Sequence, residues 1–141
     1  MPLPVTGRCF CGAVRFQSDH RPLAVRVCWC RHCQYLSAGN ASVNAVFKVE
    51  GISIHGETGE YVSQADSGNT MRRRFCRECG TPLFSQSSGR PQFLVVRTGA
   101  LDDPELAKPE GIIWSALAPS WAHGLTALPS CKGQPPPVAV R

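Results

Sequence analysis

The chain has 141 residues, 43% of them hydrophobic and 18% charged, with 13 glycines, 12 prolines and 8 cysteines. That length fits one domain with its own core, and the apolar content excludes a disordered chain. No stretch approaches the roughly 18 apolar residues of a membrane span, and Met1 to Gly12 lacks a secretory h-region, so a cytoplasmic protein is expected. The formal net charge of +5 points to an anionic partner only while every cysteine counts as neutral.

Taken in order, the elements read as short strands. Ala13 to Gln17 alternates after a Cys-Gly turn, and Leu23 to Val27 is rich in β-branched residues and runs into the next cysteines. Arg31 to Ala38 fits two helical turns closing at Gly39. Ser42 to Val49 alternates, with Val43, Ala45, Phe47 and Val49 on one face and Asn44 and Lys48 on the other. Gly51 to Gly56 is a strand between glycines; Tyr61 to Ser63 and Thr70 to Phe75 are two more, parted by the turn residues Ala65 to Asn69. Phe93 to Val96 is apolar throughout, as in a buried strand. Asp103 and Pro104 offer an N-cap and a first helical residue for one turn, and Gly111 to Leu117 is a last strand. Many short strands and little helix make an all-β fold of antiparallel sheets. The composition turns to Pro, Gly and small residues from Pro129, so one domain is expected over 1–128 and a flexible tail over 129–141.

Seven of the eight cysteines fall into three clusters. Cys9 and Cys11 form C-x-C-G, Cys28, Cys30 and Cys33 form C-x-C-x-x-C, Cys76 and Cys79 form C-x-x-C-G, and Cys131 stands alone. Disulfide frameworks suit small secreted chains, and a bridge across C-x-C is strained. A redox dithiol at Cys76 and Cys79 would sit at a strand-to-helix junction, whereas Gly80-Thr81-Pro82 starts a turn and then a strand. Zinc accounts for the spacings better. Two thiolates two or three positions apart grip one ion from one turn, and the following glycine permits the positive φ the turn needs. If the two C-G turns meet, Cys9, Cys11, Cys76 and Cys79 close a four-sulfur structural site; Cys28, Cys30 and Cys33 then leave an open fourth position, the pattern of a catalytic zinc. Spacing alone leaves the pairing open, since Cys9 and Cys11 could also join Cys28 and Cys30. A histidine (His20, His32, His55 or His123) could likewise close the three-cysteine site.

The order C-x-C-G, C-x-C-x-x-C, R-F-C-x-x-C-G-T-P-L-F resembles the glutathione-dependent formaldehyde-activating enzyme (GFA) family, which includes centromere protein V-like domains. Gly99 to Pro104 and Ala118-Pro119-Ser120-Trp121 support the likeness, which runs from about Thr6 to Leu128. The resemblance implies a β-tent of antiparallel sheets with two zinc ions per chain. It implies a structural ion at Cys9, Cys11, Cys76 and Cys79, and a catalytic one at Cys28, Cys30 and Cys33. It also implies a carbon–sulfur lyase activity that reversibly joins glutathione and formaldehyde as S-hydroxymethylglutathione. Two departures fall beside the three-cysteine cluster. Gln34-Tyr35-Leu36 follows the third cysteine where many members have a basic residue, and Trp29 takes a place where a small or polar residue, often His, is common.

Three thiolates make a soft Lewis-acidic zinc that suits a sulfur fourth ligand, so the expected substrates are a glutathione-like thiol and a small aldehyde, or their adduct. Trp29, Tyr35 and Trp121 are candidates for pocket walls or for ordinary core. Arg72, Arg73 and Arg74 alternate along a strand, with either Arg73 or the Arg72/Arg74 pair turned to solvent; one guanidinium could take a substrate carboxylate. The competing reading is a non-catalytic, zinc-stabilised binding module. A nucleic-acid partner finds no stacking platform here, and zinc-bound thiolates would remove most of the positive charge. Cys131, in the tail, reads as a spare thiol.

Overall fold

The computed structural model describes residues 2–139; Met1 and the end of the expected tail, Val140 and Arg141, lie outside the described residues. β1 (Val5–Arg8), β2 (Arg15–Ser18) and β5 (Ile52–His55) form a three-stranded sheet in the order β1-β2-β5. The second sheet holds β3 (Ala24–Cys28), β4 (Ser42–Lys48), β6 (Thr58–Gln64), β7 (Thr70–Cys76), β8 (Pro82–Ser87), β9 (Phe93–Arg97) and β10 (Gly111–Ile113). Its order is β10-β3-β4-β9-β8-β7-β6. Neighbours are antiparallel except for β10 and β3, which run parallel. The all-β expectation is borne out, and the one α-helix among the described residues is α1 (Arg31–Leu36). No helix among them is long and apolar enough to cross a membrane.

The two sheets pack face to face. Val5, Val14 and Phe16 come from the small sheet and its loop, and Val25, Ala45, Phe47, Phe84, Leu94 and Val96 from the large one. The Phe16 and Phe84 rings meet edge to face, 5.2 Å between centroids. Ala45 and Phe47 are buried, as the alternation in β4 predicts, but Val49 is exposed because the strand ends at Lys48 before the turn at Gly51. Since side chains alternate across a sheet, the other face of the large sheet presents the intervening residues. Cys28 stands opposite Ser42, Asn44 lies between Arg26 and Arg97, and Arg73 pairs with Ser85. This polar face carries the chemistry.

Three elements escape the sequence pattern. β1 is four residues long and includes Gly7, whose added Cβ would lie 2.2 Å from the Phe16 ring and 2.5 Å from the Ala100 carbonyl oxygen. β8 starts on a proline and buries Leu83, Phe84 and Ser85 in succession, which hides its period. A run of 3-10 turns covers Ser120–Ala127. Two expected elements are shorter than their pattern. The strand begun at Gly111 stops at Ile113, since Trp114 takes a left-handed conformation (φ 54) and opens a 3-10 turn. The helix stops at Leu36, and Ala38 is left-handed too. The Asp103 turn forms as expected, with the Glu105 N–H donating to Asp103 Oδ1 at 3.0 Å.

Candidate metal centres and the arginine-bearing face

The first and third cysteine clusters meet. Each is a turn closed by the glycine that follows it: the Gly12 N–H donates to the Cys9 carbonyl at 3.1 Å, and the Gly80 N–H to that of Cys76 at 2.9 Å. Both glycines have positive φ, +80 and +78, as the spacing predicts. The four sulfurs of Cys9, Cys11, Cys76 and Cys79 lie within 4.8 Å of one another. Cys9 and Cys11 are 3.6 Å apart at sulfur, and Cys11 and Cys76 are 3.7 Å apart. A zinc–sulfur bond of about 2.3 Å sets the edge of a ZnS₄ tetrahedron at about 3.8 Å, so this group has the size for a zinc ion. All eight cysteines are free, which sets aside the disulfide framework.

Backbone N–H groups reach two of these sulfurs. The Val14 N–H points at Cys9 Sγ (3.2 Å) and the Glu78 N–H at Cys76 Sγ (3.4 Å). Thr81 links the two turns. Its hydroxyl oxygen accepts from the Phe10 N–H at 3.0 Å, which leaves the hydroxyl proton for Cys79 Sγ, 3.1 Å away. That bond, with the Thr81 and Cys11 backbone N–H groups, holds the Cys79 thiol down at about 5. At Cys11 the Ala13 N–H favours the thiolate, but lost hydration and the neighbouring sulfurs outweigh it and push the thiol up to about 12.

The second cluster is built where β3 passes into α1. Cys28 ends the strand, Cys30 is the N-cap of α1, and Cys33 lies in its first turn; Cys30 Sγ accepts from the Cys33 N–H at 3.3 Å. Their sulfurs also lie within 4.8 Å of one another, and no His, Asp or Glu among the described residues joins them. Burial, with the charge on Cys33, pushes the Cys28 thiol up to about 12. Burial acts on Cys33 as well, but the Ser42 hydroxyl, the neighbouring thiols and the Arg97 guanidinium hold it below its ordinary value. Arg97 is itself half-buried, and the loss of hydration lowers its pKa, against the charge on Cys33.

The remaining candidates divide between packing and surface. Trp29 is buried and meets Trp121 edge to face at 6.4 Å. Tyr35 is exposed, with the Arg31 guanidinium 5.1 Å from its ring centroid. Of the three arginines in β7, Arg72 faces solvent and pairs with Glu60 at 2.8 Å. Arg74 lies over the Phe84 ring, and Arg73 donates to Ser63 Oγ at 3.0 Å. His32 stays clear of the cysteines and lines a cleft of about 350 Å³ beside α1, together with Tyr35, Tyr61 and Arg73. A second cleft, of about 390 Å³, is bordered by Leu36, Ser42, Thr81 and Arg97. Ser42, Thr81 and Arg97 are the site residues that sequence reasoning missed. Arg97 had a signal: it is the charge that ends the apolar run Phe93 to Val96.

A family model described as glutathione-dependent formaldehyde-activating enzyme matches residues 4–116. The chain belongs to the GFA family. The likeness read from the cysteine motifs is therefore borne out. A GFA-family relative from Halomonas elongata, named "Putative glutathione-dependent formaldehyde-activating enzyme", is 29% identical over 124 residues, covering 83% of this chain and 78% of its own. The crystal structure of a Rhodobacter sphaeroides protein superposes with a TM-score of 0.57 at 23% identity, covering 76% of this GFA-family chain and 98% of that one, which shows a shared fold.

Proposed function

We propose that this chain is a carbon–sulfur lyase acting on the adduct of a glutathione-like thiol and a small aldehyde. On this reading residues 1–128 form one domain with two zinc ions, a structural one held by Cys9, Cys11, Cys76 and Cys79, and a catalytic one held by Cys28, Cys30 and Cys33. The observation that carries it is the second group: three sulfurs gathered at one point, with no fourth protein ligand among the described residues. When bound, zinc supplies there a soft Lewis acid with an open position suited to sulfur.

The chain's own residues prepare that point. The Cys33 N–H holds Cys30 Sγ in place, and the Ser42 hydroxyl favours Cys33 as an anionic donor. Trp29, between Cys28 and Cys30 in the chain, is buried against Trp121. Arg97, held by Asn44 Oδ1 at 2.7 Å, sets a fixed positive charge beside Cys33. Cleaving R–S–CH₂–OH leaves the C–S electron pair on sulfur and converts the carbinol to the aldehyde; the hydroxyl proton goes to solvent or to the released thiol. Such chemistry needs reduced thiols, which fits a cytoplasmic location.

The test is turnover of S-hydroxymethylglutathione by the zinc-loaded protein and by Cys30→Ser. Activity that disappears in the variant while four-sulfur-site zinc is retained supports the reading. Undiminished activity in Cys30→Ser, or none in the wild type with any thiol and aldehyde, sinks it.

A further inference from the structure

Part of the outer face of the large sheet is apolar. Ala45, Phe47, Leu94 and Val96 point into the core, so alternation turns Val46, Phe93 and Val95 outward. Met71 of β7 stands to one side of them and Ile113 of β10 to the other, and these five side chains line a cleft of about 140 Å³. Apolar surface gathered in a concavity favours a ligand that displaces its water.

The cleft adjoins the three-cysteine group. Asn44 lines it, accepts from Arg97 at 2.7 Å and donates to Ser42 Oγ at 3.0 Å. Ser42 and Arg97 both stand beside Cys33. Arg26, also in the lining, lies two residues before Cys28 on β3, one side-chain repeat of roughly 7 Å. A molecule with its sulfur at the open position of the three-cysteine group therefore reaches the cleft with a substituent a few bonds away.

The chemistry of the lining indicates which part of the molecule that is. The amides and carboxylates of a glutathione-like thiol would be stripped of water against five apolar side chains. Arg26 and Arg90 edge the cleft, but both are exposed to solvent, so they call for no acid within it. Formaldehyde brings only hydrogen to the carbon of the adduct and would leave the apolar floor facing water. A phenyl-sized group matches the space, since an engineered apolar cavity of about 150 Å³ holds benzene.

We propose that this cleft binds the substituent of the aldehyde, so that the enzyme takes thiol adducts of apolar aldehydes, with a side group about the size of a phenyl ring, in preference to that of formaldehyde. The proposal rests on the three-cysteine group being the reaction centre of a lyase. Cleaving R–S–CH(OH)–R′ breaks the C–S bond and leaves its electron pair on sulfur. The hydroxyl oxygen forms the second C–O bond of R′CHO, and its proton passes to the released thiolate or to solvent.

The experiment is calorimetric titration of the zinc-loaded full chain with S-benzylglutathione and with S-methylglutathione. Neither has a carbinol to cleave, so binding is read apart from bond cleavage. The wild type is expected to bind the benzyl thioether at least about tenfold more tightly. Val95→Phe, which fills the cleft, and Met71→Glu, which sets a charge in its wall, should each bring the two affinities to within about threefold. Either variant serves if the other fails to fold. Equal, weaker or undetectable binding of the benzyl thioether by the wild type overturns the proposal, as does a tenfold preference kept by a folded variant. Exchange NMR of glutathione with formaldehyde or benzaldehyde reports the lyase reading separately. Benzyl preference without exchange of either aldehyde upholds the cleft as a site for apolar groups and refutes the lyase reading. Exchange without benzyl preference does the reverse.

Discussion

Gln34 and Leu117 stand 83 positions apart in the chain, and the Gln34 amide donates to the Leu117 carbonyl oxygen at 3.1 Å. The same Nε2 donates to the Trp29 carbonyl at 2.8 Å, and Oε1 accepts from Arg31. Gln34 is buried, so the residue that stands where many family members have a basic one fastens α1, and with it Cys30 and Cys33, to the C-terminal segment. Gln34→Ala should lower stability by about 1–2 kcal/mol, because the buried Trp29 carbonyl and the part-buried Leu117 carbonyl lose their donor. Urea unfolding reads that loss, and chelator competition should show zinc leaving the three-cysteine group more readily than the four-cysteine one.

Gly7 is required by a close approach. An added Cβ meets the Phe16 ring at 2.2 Å and the Ala100 carbonyl at 2.5 Å, and neither can move aside, since Phe16 packs on Phe84 and Ala100 is buried. Gly7→Ala should cost about 2–3 kcal/mol. At Gly99 an added Cβ meets nothing within 4 Å. Gly99→Ala should stay within about 0.5 kcal/mol of the wild type in the same thermal or urea titration.

Most of the sheet was legible from alternation, because strands with one buried face carry a period of two. Ser42 to Lys48, with Ala45 and Phe47 buried, is the example. β1 and β8 were not, since one is too short and interrupted by Gly7 and the other buries consecutive residues. The ligand sets were visible because C-x-C-G and C-x-x-C-G each fix a turn by local geometry. Arg97 and Ser42 reach the second cysteine group only through strand register, a long-range property that no local spacing encodes.

Cys79 should be the most nucleophilic thiol of the metal-free protein. Its pKa is lowered from 9.0 to about 5 by the Thr81 hydroxyl and N–H groups, and it is exposed. A thiol that ionises more easily folded than unfolded adds stability as its thiolate. That contribution is complete above about pH 9 and vanishes as the pH falls through about 5. In metal-free protein, iodoacetamide labelling followed by mass spectrometry should modify Cys79 at neutral pH, with an inflection near pH 5. Thr81→Val should move that inflection upward.

Removing metal from the four-cysteine group should unfasten the first strand from β7, since Cys9 and Cys11 follow β1 and Cys76 ends β7. Cys76→Ser, at a buried ligand, should lower stability by about 3 kcal/mol or more, and a chelator should have a similar effect on the wild type. Cys131→Ser, in the exposed tail, should leave both stability and zinc content unchanged. Thermal melts with zinc quantified in parallel check all three.

Anomalous diffraction at the zinc edge tests the central claim most directly. Two peaks per chain are predicted, one enclosed by the sulfurs of Cys9, Cys11, Cys76 and Cys79, the other held by Cys28, Cys30 and Cys33 with a fourth ligand that is not protein. A single peak, or a second ion whose fourth ligand is a side chain of this protein, would contradict the account.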